Sequence, residues 1–168
     1  MADTPTPRRE TEFTEFVGSA SLYLTRTAYL LCGDAETARE LVQETLVRTY
    51  AAWWRVRPAD ARAYARRILV NLNIDRFRKP GDLPTGSIEE TDASDAVGRV
   101  DDRDEVRRML DSLAPQQRRV IVLRYFADLS EAEVAECLGI SVGSVKSSCS
   151  RGLAALRTNF APALEGER

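Results

Sequence analysis

The chain has 168 residues, three cysteines, no histidine and a formal net charge of −2; that length allows one ordinary domain or two small ones, and the missing histidine excludes Ser-His-Asp and Cys-His catalysis, histidine-ligated metals and imidazole proton shuttles. Cys32, Cys137 and Cys149 form no CxxC motif, so neither a zinc site nor a dithiol redox centre is indicated, and free thiols suit a reducing cytoplasm. No apolar run approaches the ~18 residues of a membrane span and the opening MADTPTPRRE lacks a signal-peptide core, so the sequence predicts a cytoplasmic protein with no membrane insertion, no metal and no cofactor.

In chain order, the first predicted element is a helix. Phe13, Phe16, Val17 and Ala20 fall at i, i+3, i+4 and i+7, and the pattern runs on through Leu24, Ala28 and Leu31. Gly33 stops this helix and Asp34 can cap the next. There Ala38, Leu41, Val42, Thr45, Leu46, Thr49, Tyr50 and Trp53 make one continuous stripe, which Pro58 breaks. Asp60 can cap a third helix that ends before Pro80. Its packed face would hold Ala61, Tyr64, Ala65, Ile68, Leu69 and Leu72. Residues 10–79 therefore predict a small helical bundle.

Charge then divides the chain. Residues 1–79 carry net +3, residues 80–105 net −7 and residues 106–168 net +2. The acidic stretch also holds Pro80, Gly81, Pro84, Gly86 and Gly98. It predicts a solvated, flexible linker over 80–104, because a loop of that length is uncommon inside a compact domain.

Beyond it, residues 105–160 predict a second helical domain. Val106, Met109, Leu110 and Leu113 form a short stripe. Pro115 suits a first helical position, opening a segment to Phe126. Ser130 and Glu133 make a capping box for a helix through Leu138, which Gly139 ends. Ser141 can cap a last helix reaching about Phe160, with Val145, Cys149, Gly152, Leu153 and Leu156 turned inward. The fold class is all-α: two small helical domains joined by an acidic linker.

The strongest motif is LSEAEVAECLGISVGSVKSSCSRGLAALR, two helices around a short glycine-containing turn, which is a helix-turn-helix pattern. Ala135 is small where the helices would cross, and Ile140 can fill the space between them. The outer face of the last helix would show Ser144, Lys146, Ser147, Ser148, Ser150 and Arg151. Short hydroxyls and long cations near a helix start suit phosphate contact and base-edge readout in a major groove. A merely solvated face would mix in acids, and residues 142–158 have none.

A second constellation lies between Arg55 and Lys79. Eight basic residues stand there against two acids, interleaved with Trp53, Trp54, Tyr64 and Phe77, and with Asn71 and Asn73 nearby. Cations can follow a phosphate backbone, aromatic faces can stack on bases and amides can read base edges. A third lies in ARELVQETLVRTY, where Glu40, Gln43, Glu44 and Arg48 stand opposite the apolar stripe. Physics alone reads this as a solvated face steadied by a Glu44–Arg48 pair.

The order of these motifs resembles the extracytoplasmic-function (group four) class of bacterial RNA polymerase sigma factors, over residues 12–158. The resemblance is carried by TAYLLCGDAETARELVQETLVRTYAAW, ARAYARRILVNLNIDRFR, LDSLAPQQRRVIVLRYFADLSEAEVAECLGIS and VGSVKSSCSRGLAALR. It implies two domains, region two at 10–79 and region four at 105–160. It also implies binding to core RNA polymerase, recognition of promoter DNA and initiation of transcription, with no enzymatic step of the chain's own.

By the same resemblance, Glu40, Leu41, Gln43 and Glu44 would grip the clamp of the largest polymerase subunit. Arg57, Arg62, Tyr64, Arg67, Asn71, Arg76, Arg78 and Lys79 would recognise and open the −10 element. Ser144, Lys146, Ser147, Ser148, Ser150 and Arg151 would read the −35 element, and region four would also hold the flap of the second-largest subunit. An anti-sigma factor is a further expected partner. Two positions depart from the pattern: Arg39 stands where the family often has an acid, and Ser148 where it often has an arginine. The rival reading is a helix-turn-helix regulator that binds a palindromic operator as a dimer without polymerase.

Overall fold

The computed structural model describes the backbone of residues 7–78 and 100–164, with side chains over 9–78 and 104–160. The chain separates into two units, Met1–Leu83 and Pro84–Arg168. Among the described residues every regular element is helical.

The first unit holds α1 (Pro7–Cys32), α2 (Ala35–Ala51) and α3 (Ala61–Arg78), each packed on the other two. Gly33 ends α1 with φ +77°, a conformation glycine adopts without strain. Asp34 caps α2: its Oδ2 accepts from the Thr37 N–H at 2.7 Å. That hydrogen bond, with the Thr37 hydroxyl, holds the Asp34 carboxyl below its ordinary pKa. The core is Ala20, Leu24 and Ala28 of α1, Ala38, Leu41 and Val42 of α2, and Ala65 and Leu69 of α3. Thr45 and Thr49 are buried on α2, and their hydroxyls return to the carbonyls four residues back at 2.7 Å.

Two details differ from the sequence expectation. First, α2 ends at Ala51, yet Trp53 in the following turn is still buried and packs edge-on against Phe13, with centroids 5.1 Å apart. Second, the chain enters α3 through a short 3₁₀ turn, Pro58–Asp60. Asp60 is the last residue of that turn, whose geometry the fixed φ of Pro58 favours.

The second unit holds α4 (Val100–Asp111), α5 (Pro115–Ile121), α6 (Glu131–Leu138) and α7 (Val142–Leu164). Helix reaches back to Val100, inside the stretch expected as linker; residues 80–99 of that stretch lie outside the described residues. Pro115 takes the first position of α5. The segment to Phe126 is not one α-helix: Val122–Phe126 widens into a π-turn, closed by Ala127 N–H to Val122 O at 3.0 Å. Ser130 and Glu133 form the reciprocal capping box of α6, and Gly139 ends it with φ +65°. Ser141 Oγ accepts from Ser144 N–H at 3.1 Å at the start of α7. Leu110, Val120, Val122, Leu123, Val134 and Val145 are almost fully buried and make the core. α7 packs tightly against α5 at Gly152, where an added Cβ would lie 3.1 Å from Ile121 Cγ1.

Candidate functional site

α7 separates its side chains sharply. Val145, Ser148 and Gly152 are buried, at i, i+3 and i+7. Ser144, Lys146, Ser147, Ser150 and Arg151 are exposed. Ser148 was expected among the DNA-facing residues; the structure turns it inward, 4 % exposed, between Val145 and the close approach at Gly152. The inward stripe drawn from Val145, Cys149 and Gly152 already flanks it, and its small size fits that place. Arg157 is exposed and falls on the same side as Lys146 and Ser150, eleven and seven residues on.

Lys146 and Arg151 each have a partner within the unit. Lys146 Nζ lies 3.7 Å from Glu131 Oε2 on α6. Arg151 Nε donates to Ser147 O at 3.2 Å. Behind this face, the Tyr125 hydroxyl and Cys149 Sγ are 3.7 Å apart, a contact that holds the phenol above its ordinary pKa.

The basic set of the first unit divides between faces. Tyr64 is half-buried, and Arg67 and Asn71 are exposed; they follow one another at helical spacing on the outward side of α3, while Arg78, exposed at the helix end, edges the groove towards α2. Arg62 and Arg76 do not join them. Arg62 donates to Ser19 O on α1 at 3.4 Å and lies over the Tyr23 ring, 5.4 Å from its centroid. Arg76 Nη1 donates to Glu40 Oε2 on α2 at 2.8 Å. Arg57 is exposed ahead of the 3₁₀ turn, and Lys79 lies outside the described residues. Trp54, 66 % exposed, stands beside Arg55, whose guanidinium carbon is 5.9 Å from its ring centroid. Sequence reading named Trp54 without assigning it to the site; being out of phase with the α2 stripe is the signal that marks it.

On α2, Glu40, Gln43 and Glu44 face outward, and Glu44 pairs with Arg48 at 2.7 Å. Leu41 was expected beside them on the docking face. It is 5 % exposed and belongs to the bundle core, because it lies on the Ala38–Leu41–Thr45 side of the helix. Val47 and Tyr50, 58 % and 43 % exposed, instead supply apolar surface to that outer face. They border a shallow apolar groove of about 440 Å³ with Phe13, Val42, Gln43 and Leu46. A groove of about 790 Å³ with mixed lining runs between α2 and α3, floored by Leu41 and Leu72 and edged by Glu40, Glu44, Asp75, Arg76 and Arg78.

Among the described residues no cluster could hold a metal ion, and no helix is long and apolar enough to cross a membrane. The candidate surfaces carry cations, carboxylates, hydroxyls, amides and exposed aromatics.

Comparison with known proteins agrees with this chemistry. Residues 19–81 match the family model of Sigma-70 region 2, and residues 103–156 match Sigma-70, region 4. The chain is 40 % identical over 151 residues to the RNA polymerase sigma-E factor of Streptomyces coelicolor, covering 87 % of this chain and 84 % of the relative. It is 35 % identical over 147 residues to the ECF RNA polymerase sigma factor SigL of Mycobacterium tuberculosis, covering 80 % of each. Among solved structures it resembles the sigma factor RpoE of Bartonella quintana, crystallised with the anti-sigma factor NepR, at 25 % identity. The TM-score is 0.72, over 93 % of this chain and 98 % of the other.

Proposed function

This chain belongs to the extracytoplasmic-function class of sigma-70 RNA polymerase sigma factors, and from that premise we propose how its two units share the work. As an alternative sigma factor it directs core RNA polymerase to −10 and −35 promoter elements for DNA-templated initiation. In our reading the outer face of α2, with Glu40, Gln43, Glu44 and Val47, docks on the clamp of the largest subunit. The outward side of α3, with Tyr64, Arg67 and Asn71, and Arg78 at its end, takes the −10 element. Trp54 offers a ring on which an unpaired base can stack, once the few kcal/mol of unstacking per step is met.

The second unit reads the −35 element through Ser144, Lys146, Ser147, Ser150 and Arg151, and sits on the flap of the second-largest subunit. Residues 80–99 connect the units with acid that is compatible with the polymerase's DNA path. The protein acts in the cytoplasm, does no covalent chemistry itself and leaves RNA synthesis to the polymerase. An anti-sigma factor is an expected regulator, in line with the Bartonella quintana complex.

The observation that carries this reading is the segregation on α7: cations and hydroxyls outward, no acid between residues 142 and 158, apolar and small residues inward. Lys146→Ala and Arg151→Ala are the test. Each should weaken holoenzyme binding to −35 duplex and lower the salt slope by about 1, with affinity for core polymerase unchanged. Loss of core binding ahead of −35 binding would overturn the division of labour.

A further inference from the structure

We infer that Arg76 is a positioning residue for polymerase docking rather than a contact to DNA, because its ion pair with Glu40 fixes a carboxylate on the outer face of α2. The inference rests on the proposal above that this face docks polymerase.

Arg76 and Glu40 are 36 residues apart and sit on different helices, yet Nη1 and Oε2 are 2.8 Å apart, a charge-assisted hydrogen bond. On α3, Arg76 falls on the side turned to α2, with Leu69 and Leu72, which pack into the bundle. The outward stripe through Arg67 and Asn71 is on the other side. To reach DNA bound there, the guanidinium would have to leave Glu40 and swing around the helix.

The neighbouring Glu44 pairs with Arg48, one turn on along α2 itself, at 2.7 Å. Glu40 and Glu44 therefore each have an arginine partner, one from α3 and one from α2, and Gln43 stands between them. A glutamate side chain held in one place loses less freedom on docking than one that is mobile. The pair is partly exposed, at 35 % and 57 % side-chain accessibility, so it adds little to folding in water. Covering it with a partner surface would strengthen it and make its geometry count.

The experiment measures affinity of the full-length chain for core polymerase, and binding of the holoenzyme to a single-stranded −10 non-template oligonucleotide at saturating core. Arg76→Ala should weaken core affinity about three- to tenfold and leave −10 binding within about twofold, and Arg76→Lys should recover most of the loss. In an Glu40→Gln background, Arg76→Gln should do nothing further to core affinity, since its route through Glu40 is gone. Additive losses there would show a general structural role and overturn the inference. So would unchanged core affinity with weakened −10 binding, which would make Arg76 a DNA contact. Gln43→Ala and Glu44→Ala separate the two levels. If they lower core affinity and Arg76→Ala does not, only the inference about Arg76 fails. If none of the three matters, the docking face itself is misassigned, and the inference falls with it.

Discussion

Replacing Gly152 by alanine sets two opposed effects against each other at the contact of α5 and α7. Alanine in a helix interior gains about 1 kcal/mol over glycine. Against that, its Cβ would stand 3.1 Å from Ile121 Cγ1 and 3.4 Å from Gln117 Cβ. Ile121 is 3 % exposed between Val120 and Val122, both fully buried, so it has little room to withdraw. Forcing a methyl into such packing costs about 1–3 kcal/mol. Gly152→Ala should therefore range from neutral to about 2 kcal/mol destabilising. Gly152→Val, which adds two methyls beyond the alanine Cβ and loses most of the propensity gain, should cost about 2–3 kcal/mol. For a domain of this size that is a fall in Tm of roughly 10 °C or more.

The sequence supplies its own reporter for locating that loss. Both tryptophans, Trp53 and Trp54, are in the first unit. Tryptophan fluorescence follows that unit alone, while far-UV circular dichroism follows both. In Gly152→Val the helical signal should begin to fall at lower temperature, with the tryptophan transition where it was. A Gly152→Ala chain stabilised by a full 1 kcal/mol would show that the helices are not so close, and would refute the argument.

Two other outcomes follow from the same reasoning. Asp34→Ala should destabilise the first unit by about 1 kcal/mol. Since folding lowers the Asp34 pKa, the carboxylate's contribution is complete above its unfolded value near 4 and is lost as pH falls through the lower folded one; the tryptophan transitions of parent and variant should therefore converge in acid and differ at pH 7. Ser148→Arg, which places a guanidinium on the inward side of α7, should lower the stability of the second unit by about 1–3 kcal/mol. Wild-type melting together with tighter −35 binding would put residue 148 on the DNA face after all.

Much of this protein was legible in its sequence because the signals are local. Gly33, Asp34, Pro115, the Ser130–Glu133 box, Gly139 and Ser141 act within one turn of chain, and each sits where its chemistry requires. The structure departs from expectation where motif or composition had been set above helical phase or distant partners. Leu41 belonged to the apolar stripe and was also placed with its motif's docking neighbours, and Ser148 was placed on the outer face; both are buried. Arg62 and Arg76 were grouped with the basic stretch by composition, but their partners, Ser19 and Glu40, are more than 30 residues away in sequence. The π-turn at Val122–Phe126 has no proline or glycine to announce it. Trp54 and Val47 were readable in principle, as apolar residues out of phase with a buried stripe.

If this chain gives core RNA polymerase a promoter specificity through two separate surfaces, run-off transcription on fragments of the source genome, by core polymerase with and without the protein, will read it out. Discrete transcripts should appear only with the protein and weaken in Lys146→Ala and Arg151→Ala. Active core polymerase that yields no promoter-specific transcript with the protein present would rule the sigma-factor role out.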